Sequence, residues 1–237
     1  MSAGFSGSSP AWEECGHSHR VLLPGGLKRA ALLEAEITLN DPRMLKDRVT
    51  LPVRLLLVGI NPGVRSEAIG HHFAGHSNRF WKLMFQSGLV SEALGAEQDH
   101  RLPEWGHGIT NLVPRCTPGI DGLRPADYAA GERALRRKVR RWRPEVVALL
   151  GVTLFRAVFP AVINSSSSAG RRRGRIALGL QAERFEGARV FVLPNPSGRN
   201  ANYSYDEMLA AFRSLHRYLG RRRPGRPALP RRNGLFG

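Results

Sequence analysis

Apolar residues in this chain come as short unbroken runs, separated by loops rich in glycine, proline and asparagine. The first run is Leu55-Leu56-Leu57-Val58. Consecutive apolar residues without polar alternation predict a strand buried on both faces, here over Arg54–Val58. Gly108–Val113 and Val146–Leu150 repeat the pattern, and Ala182–Phe185 and Arg189–Leu193 predict two more strands joined at Glu186–Gly187. Between these runs the spacing turns helical. Phe80, Trp81, Met84 and Phe85 mark a helix over about Asn78–Ser87, with Gly88 suited to its C-cap and the aromatics assigned to the core. Tyr128, Leu135, Val139 and Trp142 stripe a helix over Pro125–Trp142, and a short helix over Thr153–Phe159 is closed by Pro160. Met208, Phe212, Leu215 and Leu219 line a last helix over Ser204–Leu219, where Ser204 and Glu207 have the spacing of a capping box. A further helix is predicted over Leu27–Glu36. Strands alternating with helices predict an α/β fold: a single domain with a central, mostly parallel sheet flanked by helices.

Three of the predicted strands end in polar loops: GINPG at 59–63, TNLVPR at 110–115 and NPSG at 195–198. In an open α/β sheet, ligands bind in the crevice outside the carboxyl ends of the strands. Ile60 to Asn78 is therefore the candidate active-site segment. Its polar residues and those of the other two loops are mostly amides and hydroxyls. No G-x-S-x-G elbow, Walker A loop or G-x-G-x-x-G is present. A neutral, amide-rich site suits recognition of a base edge and the positioning of a water. Without an acidic metal cage it suits phosphoryl transfer poorly. His71, His72 and His76 match no standard zinc spacing, so neither metal nor cofactor is expected. Phe73 has two open readings. It stacks on a base, worth ~1–3 kcal/mol, or it anchors its loop to the core.

Composition changes the picture in one respect. The 237 residues carry a net charge of +17, most of it from arginine. Such a surplus implies a polyanionic partner, nucleic acid before a membrane surface, because no basic amphipathic helix with exposed aromatics is evident. No apolar run approaches the ~18–20 residues that span a bilayer, and no signal peptide pattern is seen. The two cysteines, Cys15 and Cys116, exclude a four-cysteine cluster and fit a reducing compartment. Length suits one domain with tails: a mobile arm over 1–26, a domain over 27–219 with a flexible Ser/Arg-rich insertion near 164–175, and a basic disordered tail over 220–237. Pro224-Gly225-Arg226-Pro227 resembles an AT-hook, with a solvated tail as the plainer reading. Arg136, Arg137, Arg140 and Arg141 form a basic helix face that either meets DNA or stays solvated.

Taken together and in order, GINPG, GHHFAGHSNRFWK, GITNLVPR with TPG, and LPNPSG resemble the mismatch-specific uracil-DNA glycosylase and thymine-DNA glycosylase family. The resemblance runs from about Arg54 to Leu219. It implies a uracil-DNA glycosylase-like three-layer sandwich with DNA at the strand carboxyl ends. It implies that Asn61 positions the hydrolytic water, helped by Thr110, and that Ile60 contacts the base edge through its backbone. Ser66 would border C5 of the pyrimidine and Phe73 would stack on the flipped base. Asn195 and Ser197 would sit beside the nucleotide and its phosphate, while Gly198 and Arg199 enter the stack. Arg199 stands where part of the family has an apolar wedge, so guanine as the opposite base is an expectation only.

The function so implied is that of a monofunctional glycosylase hydrolysing the N-glycosidic bond of uracil in G·U or G·T mismatches, by base flipping, to begin base excision repair. Thymine and modified cytosine are further candidate bases. The expected partner is double-stranded DNA carrying a mismatched or damaged base, the expected state a monomer, and the expected location a bacterial cytoplasm, or the nucleus if the source is eukaryotic. Two alternatives stay open: a non-catalytic DNA-binding protein on the same scaffold, and a glycosylase for a deaminated purine. An anion-binding α/β enzyme using Gly59–Gly63 is a third.

Overall fold

A computed structural model describes residues 45–161 and 176–221. The predicted helix at 27–36, the arm, the insertion and nearly all of the basic tail lie outside the described residues. Five strands form one sheet: β1 (Leu55–Gly59), β2 (His107–Asn111), β3 (Val146–Leu150), β4 (Gly179–Phe185) and β5 (Ala188–Leu193). Their order is β2-β1-β3-β5-β4. The first four in that order run parallel, and β4 closes one edge antiparallel to β5. The β4–β5 turn is made by Glu186 and Gly187, both at positive φ, as a two-residue hairpin of matching twist requires.

The unbroken apolar runs have a direct cause. Leu55 and Leu57 point into one core with Ala148 and Phe191, while Leu56 and Val58 point into a second core with Val147, Leu149, Val190 and Val192. All four residues of the β1 run have no exposed surface, and full burial of each contributes about 1.5–3 kcal/mol. Helices cover both faces. On the first lie α2 (Phe80–Gln86) and α5 (Tyr205–Arg221), with a 3₁₀ segment over Ala96–Trp105. On the second lie α3 (Pro125–Trp142) and α4 (Val152–Val158). One more short helix, α1 (Val64–Ile69), follows β1 directly.

The capping box of α5 forms as its spacing predicts: the Glu207 N–H donates to Ser204 Oγ and the Ser204 N–H donates to Glu207 Oε2. Gly88 follows α2 at φ +80 and donates its N–H to the Phe85 carbonyl. Three expectations are corrected. Phe85 is 43% exposed, because at its position on a seven-residue helix it faces away from the sheet, whereas Phe80, Trp81 and Met84 are buried. The β2 strand stops at Asn111: Leu112 still donates to the Gly59 carbonyl, but Val113 donates to the very next carbonyl, Ile60, which breaks the every-second-residue alternation of a parallel ladder. Helix α5 runs on through Gly220 and Arg221 before the tail.

β1 lies between β2 and β3, and the chain passes from one face of the sheet to the other around it. The crevice at the carboxyl ends of these strands is therefore where the topology opens a ligand site. Helix α3 runs back from this edge to the opposite one. Its basic residues Arg136 and Arg140 lie at that far edge and both bind Glu186, at 2.6 Å for each shortest contact to that carboxylate. Two of the four arginines of this basic face are thus spent on the hairpin turn, away from the strand-end crevice, while Arg137 and Arg141 are exposed.

Candidate active site

A cavity of about 1030 Å³ opens at the carboxyl ends of the parallel strands. Each strand contributes at its end: Gly59, Ile60 and Asn61 after β1, Asn111 on β2, Leu150 and Gly151 at β3, and Asn195 beyond β5. Phe73 and Ser66 complete the floor and wall, and Ser197, Gly198 and Arg199 form part of the mouth.

Asn61 is held by its amide nitrogen. Nδ2 donates to Thr117 Oγ1 at 2.7 Å, to the Pro62 carbonyl at 3.1 Å and to the Arg115 carbonyl at 3.3 Å. Carbonyl oxygens only accept, so these partners fix which side-chain atom is nitrogen. Oδ1 is left as the acceptor, with no hydrogen bond to any described residue. Thr117 in turn donates its hydroxyl proton to the Gly119 carbonyl at 2.6 Å, which leaves its oxygen lone pairs directed at Asn61. The side chain is thereby pre-oriented before any ligand arrives.

The reading of Phe73 as an anchor of its loop to the core is the one the packing bears out. Its ring stacks on Phe80 with centroids 4.2 Å apart and planes inclined by 20°, and it also lines the cavity. Phe80 is itself fully buried against Trp81. The Phe73 ring is therefore supported from beneath. Gly59 makes room for it: a Cβ there would stand 3.1 Å from Phe73 Cζ and 2.5 Å from Asn111 Oδ1. Ser66 is buried on α1, and its Oγ accepts the Ala74 N–H at 3.0 Å. It thus ties down the residue after Phe73. Ile60 packs its side chain into the second core and accepts the Val113 N–H with its carbonyl.

The loop after β5 is self-braced. Asn195 Oδ1 accepts the Ser197 N–H at 3.0 Å, and Ser197 Oγ accepts the Arg199 N–H at 3.3 Å. Gly198 touches Ser77 so closely that a Cβ would stand 2.4 Å from Ser77 Cβ. Exposed Arg199 reaches over to the Pro118 carbonyl at 2.8 Å, linking this loop to the one after β2.

Thr110 is the sequence-predicted residue that the fold does not bring to the others. It is fully buried, donates to Asp47 Oδ1 at 2.5 Å and accepts from Lys138 Nζ at 2.9 Å. Strand alternation turns its side chain away from the cavity that Asn111, the next residue, lines. Asn111 and Thr117 are the residues that reading the sequence missed. The register that sets Asn111 opposite Gly59 is a pairing between distant segments. Thr117 stands in the quoted TPG, but its bond to Asn61 spans 56 positions.

Electrostatically the interior is neutral. Asp121, exposed at the rim, is the one carboxylate among the described residues that line the cavity, whereas Arg65, Arg156 and Arg199 line it near the surface. Burial lowers the His72 imidazole below its ordinary value, keeping it uncharged, and its Nε2 lies 3.0 Å from the Lys46 carbonyl. His71 is engaged with Asp99 at 3.0 Å. The arrangement can hold a planar polar ring between Phe73 and amide groups, with an oriented acceptor beside it and cations around the mouth. A family model described as the uracil DNA glycosylase superfamily matches residues 47–218, a span that includes the loops after β1, β2 and β5.

Proposed function

This chain belongs to the uracil DNA glycosylase superfamily, and on that premise we propose that it is a monofunctional DNA glycosylase that flips uracil out of duplex DNA and hydrolyses its N-glycosidic bond. The observation that carries the reading is the fixed Asn61 amide. Its nitrogen is tethered to Thr117 and two carbonyls, and its oxygen is left to accept a hydrogen bond from water. A neutral amide cannot take the proton away. It orients the nucleophile, and rate comes from placement.

The remaining groups fit the same reaction. The bond to the base stretches first, so the sugar gains positive and the base negative character. The Asn111 carboxamide, pinned against Gly59, offers a donor and an acceptor to the edge of a base lying on Phe73. Donors placed where charge develops on the leaving base stabilise it more in the transition state than in the ground state. The water then attacks C1′ and its proton leaves to solvent. Among the described residues no carboxylate is at hand in the interior, and this division of labour selects bases that leave or extrude easily. Extruding a base costs a few kcal/mol, and least when the base is mismatched. G·U and G·T mismatches are accordingly the proposed substrates, with Arg199 filling the vacated stack.

The test is incubation of the protein with a G·U duplex, followed by alkali to cut abasic sites. Release of uracil and strand cleavage is the expected result, and Asn61→Ala should remove it while duplex binding persists. No cleavage at any excess of protein would leave the reading of a non-catalytic DNA-binding protein in its place.

A further inference from the structure

Phe73 has φ +53. A non-glycine residue in the left-handed region is strained and persists only where its surroundings over-determine it. The bonds on either side of Phe73 supply that constraint. After it, the Ala74 N–H donates to Ser66 Oγ, and Arg65 Nε donates to the Ala74 carbonyl. Before it, the restraint converges on one residue outside the cavity, Asp99 in the 3₁₀ segment. Asp99 has no exposed surface. Its Oδ2 accepts the His72 N–H at 2.9 Å, and its Oδ1 lies 3.0 Å from both His71 Nδ1 and Arg48 Nε. Arg48 donates from Nη2 to the Gly70 carbonyl as well, at 2.9 Å. It is itself anchored to the sheet by paired backbone bonds with Ile109. Trp81 Nε1 donates to the His72 carbonyl.

A buried carboxylate is costly to maintain unless it is paired and hydrogen-bonded. Here a charged group gathers the three residues before the stacking platform and ties them to β2. Building on the glycosylase reading above, we propose that Asp99 is a positioning residue: through His71, the His72 amide and Arg48 it fixes the backbone of 70–73 and so sets the Phe73 ring against the base.

Asp99→Asn is nearly isosteric but turns one acceptor into a donor. Whichever way the amide lies, it opposes the His72 N–H or the Arg48 Nε–H. Two readouts decide the matter. Hydrogen exchange needs no substrate: amide protection over 70–74 should fall roughly tenfold while that of β1 and β3 is unchanged. Unchanged protection at 70–74 overturns the proposal. The second is a double-mutant cycle with Phe73→Ala, read as single-turnover uracil release from a G·U duplex. Asp99→Asn alone should slow release roughly tenfold, and should add almost nothing when Phe73 is already Ala, because residues acting through one another are non-additive. Additive losses would mean that Asp99 only supports the fold, and overturn the proposal. If Asp99→Asn does not fold, Arg48→Gln, which keeps the backbone pairing with Ile109, takes its place in both arms. A wild-type protein that releases no base sinks the glycosylase reading, and the exchange arm still decides whether Asp99 holds the loop.

Discussion

Asn61 Nδ2 lies 2.7 Å from Thr117 Oγ1, and this bond joins the loop after β1 to the loop after β2. It is the shortest of the three contacts that direct the Asn61 amide. Thr117→Val keeps the shape and removes the acceptor. Base release in single turnover should slow roughly tenfold with duplex affinity within about twofold. Asn61→Ala should cost roughly a hundredfold or more. Fluorescence anisotropy with an uncleavable duplex, beside quenched-flow release, separates the two quantities. A Thr117→Val protein at wild-type rate would remove Thr117 from the mechanism.

On the proposed reading, Asn111 meets the base rather than the backbone. Asn111→Ala should slow release of uracil roughly tenfold, the scale of one lost hydrogen bond in a desolvated pocket. Bases with a different edge should lose less. A panel of uracil, thymine and hypoxanthine, each opposite guanine, checks this. Equal loss across the panel would show that Asn111 shapes the pocket without reading the base.

Gly198 admits no side chain, because the Cβ would meet the Ser77 carbonyl oxygen at 2.6 Å as well as its side chain. Gly198→Ala must push the loop carrying Arg199 outward. Overpacking of this kind costs about 1–3 kcal/mol. We expect a lower melting temperature and weaker duplex binding together, measured by calorimetry and anisotropy. Both unchanged would mean that the loop relaxes freely.

Salt dependence should distinguish the arginines by position. Arg156 and Arg199 line the cavity mouth, while Arg136 and Arg140 bind Glu186 at the opposite edge of the sheet. Each phosphate contact removed lowers the slope of log affinity against log salt by about one. Arg156→Gln should therefore flatten the slope. Gln at both Arg136 and Arg140 should leave it alone. A flattened slope in the latter variant would bring the far edge into the DNA path.

His107 sets a pH limit on stability. Burial lowers its imidazole to about 4, against the small opposing effect of its bond to the Leu89 carbonyl at 2.9 Å. Its Nδ1 is buried without a partner among the described residues. The unfolded chain binds this proton at the ordinary value of about 6.5. The contribution to stability is therefore complete above about pH 6.5 and is lost as pH falls toward 4, by about 3 kcal/mol. His72, lowered by burial too, acts in the same direction. His107→Gln keeps a donor for Leu89 and cannot titrate. Its urea midpoint should fall less between pH 7 and 4.5 than that of the wild type, and an identical fall would assign the acid sensitivity elsewhere.

The sequence by itself determined the sheet and most of its helices. Residues such as Leu55 to Val58 are apolar on both strand faces, and that signal is local: it needs only the periodicity of the backbone and the burial it demands. The capping box at Ser204 and Glu207 was legible for the same reason. The loops were legible as a set, because glycine, proline and asparagine at strand ends leave a composition that no core segment has. Which residue of each loop enters the cavity was decided only by tertiary structure. Thr110 and Asn111 are neighbours in the chain, yet the pairing of β1 with β2 sends one to Asp47 and Lys138 and the other into the cavity. Asn61 meets Thr117, and the segment leading to Phe73 meets Asp99, only after the loops are brought to one edge of the sheet. Arg136 and Arg140 are strongly basic in sequence, but the direction of α3 sets them at the far edge against Glu186. Periodicity reports which face a residue takes within its own element; register and topology decide what stands opposite, and the chemistry of this cavity lies in those oppositions.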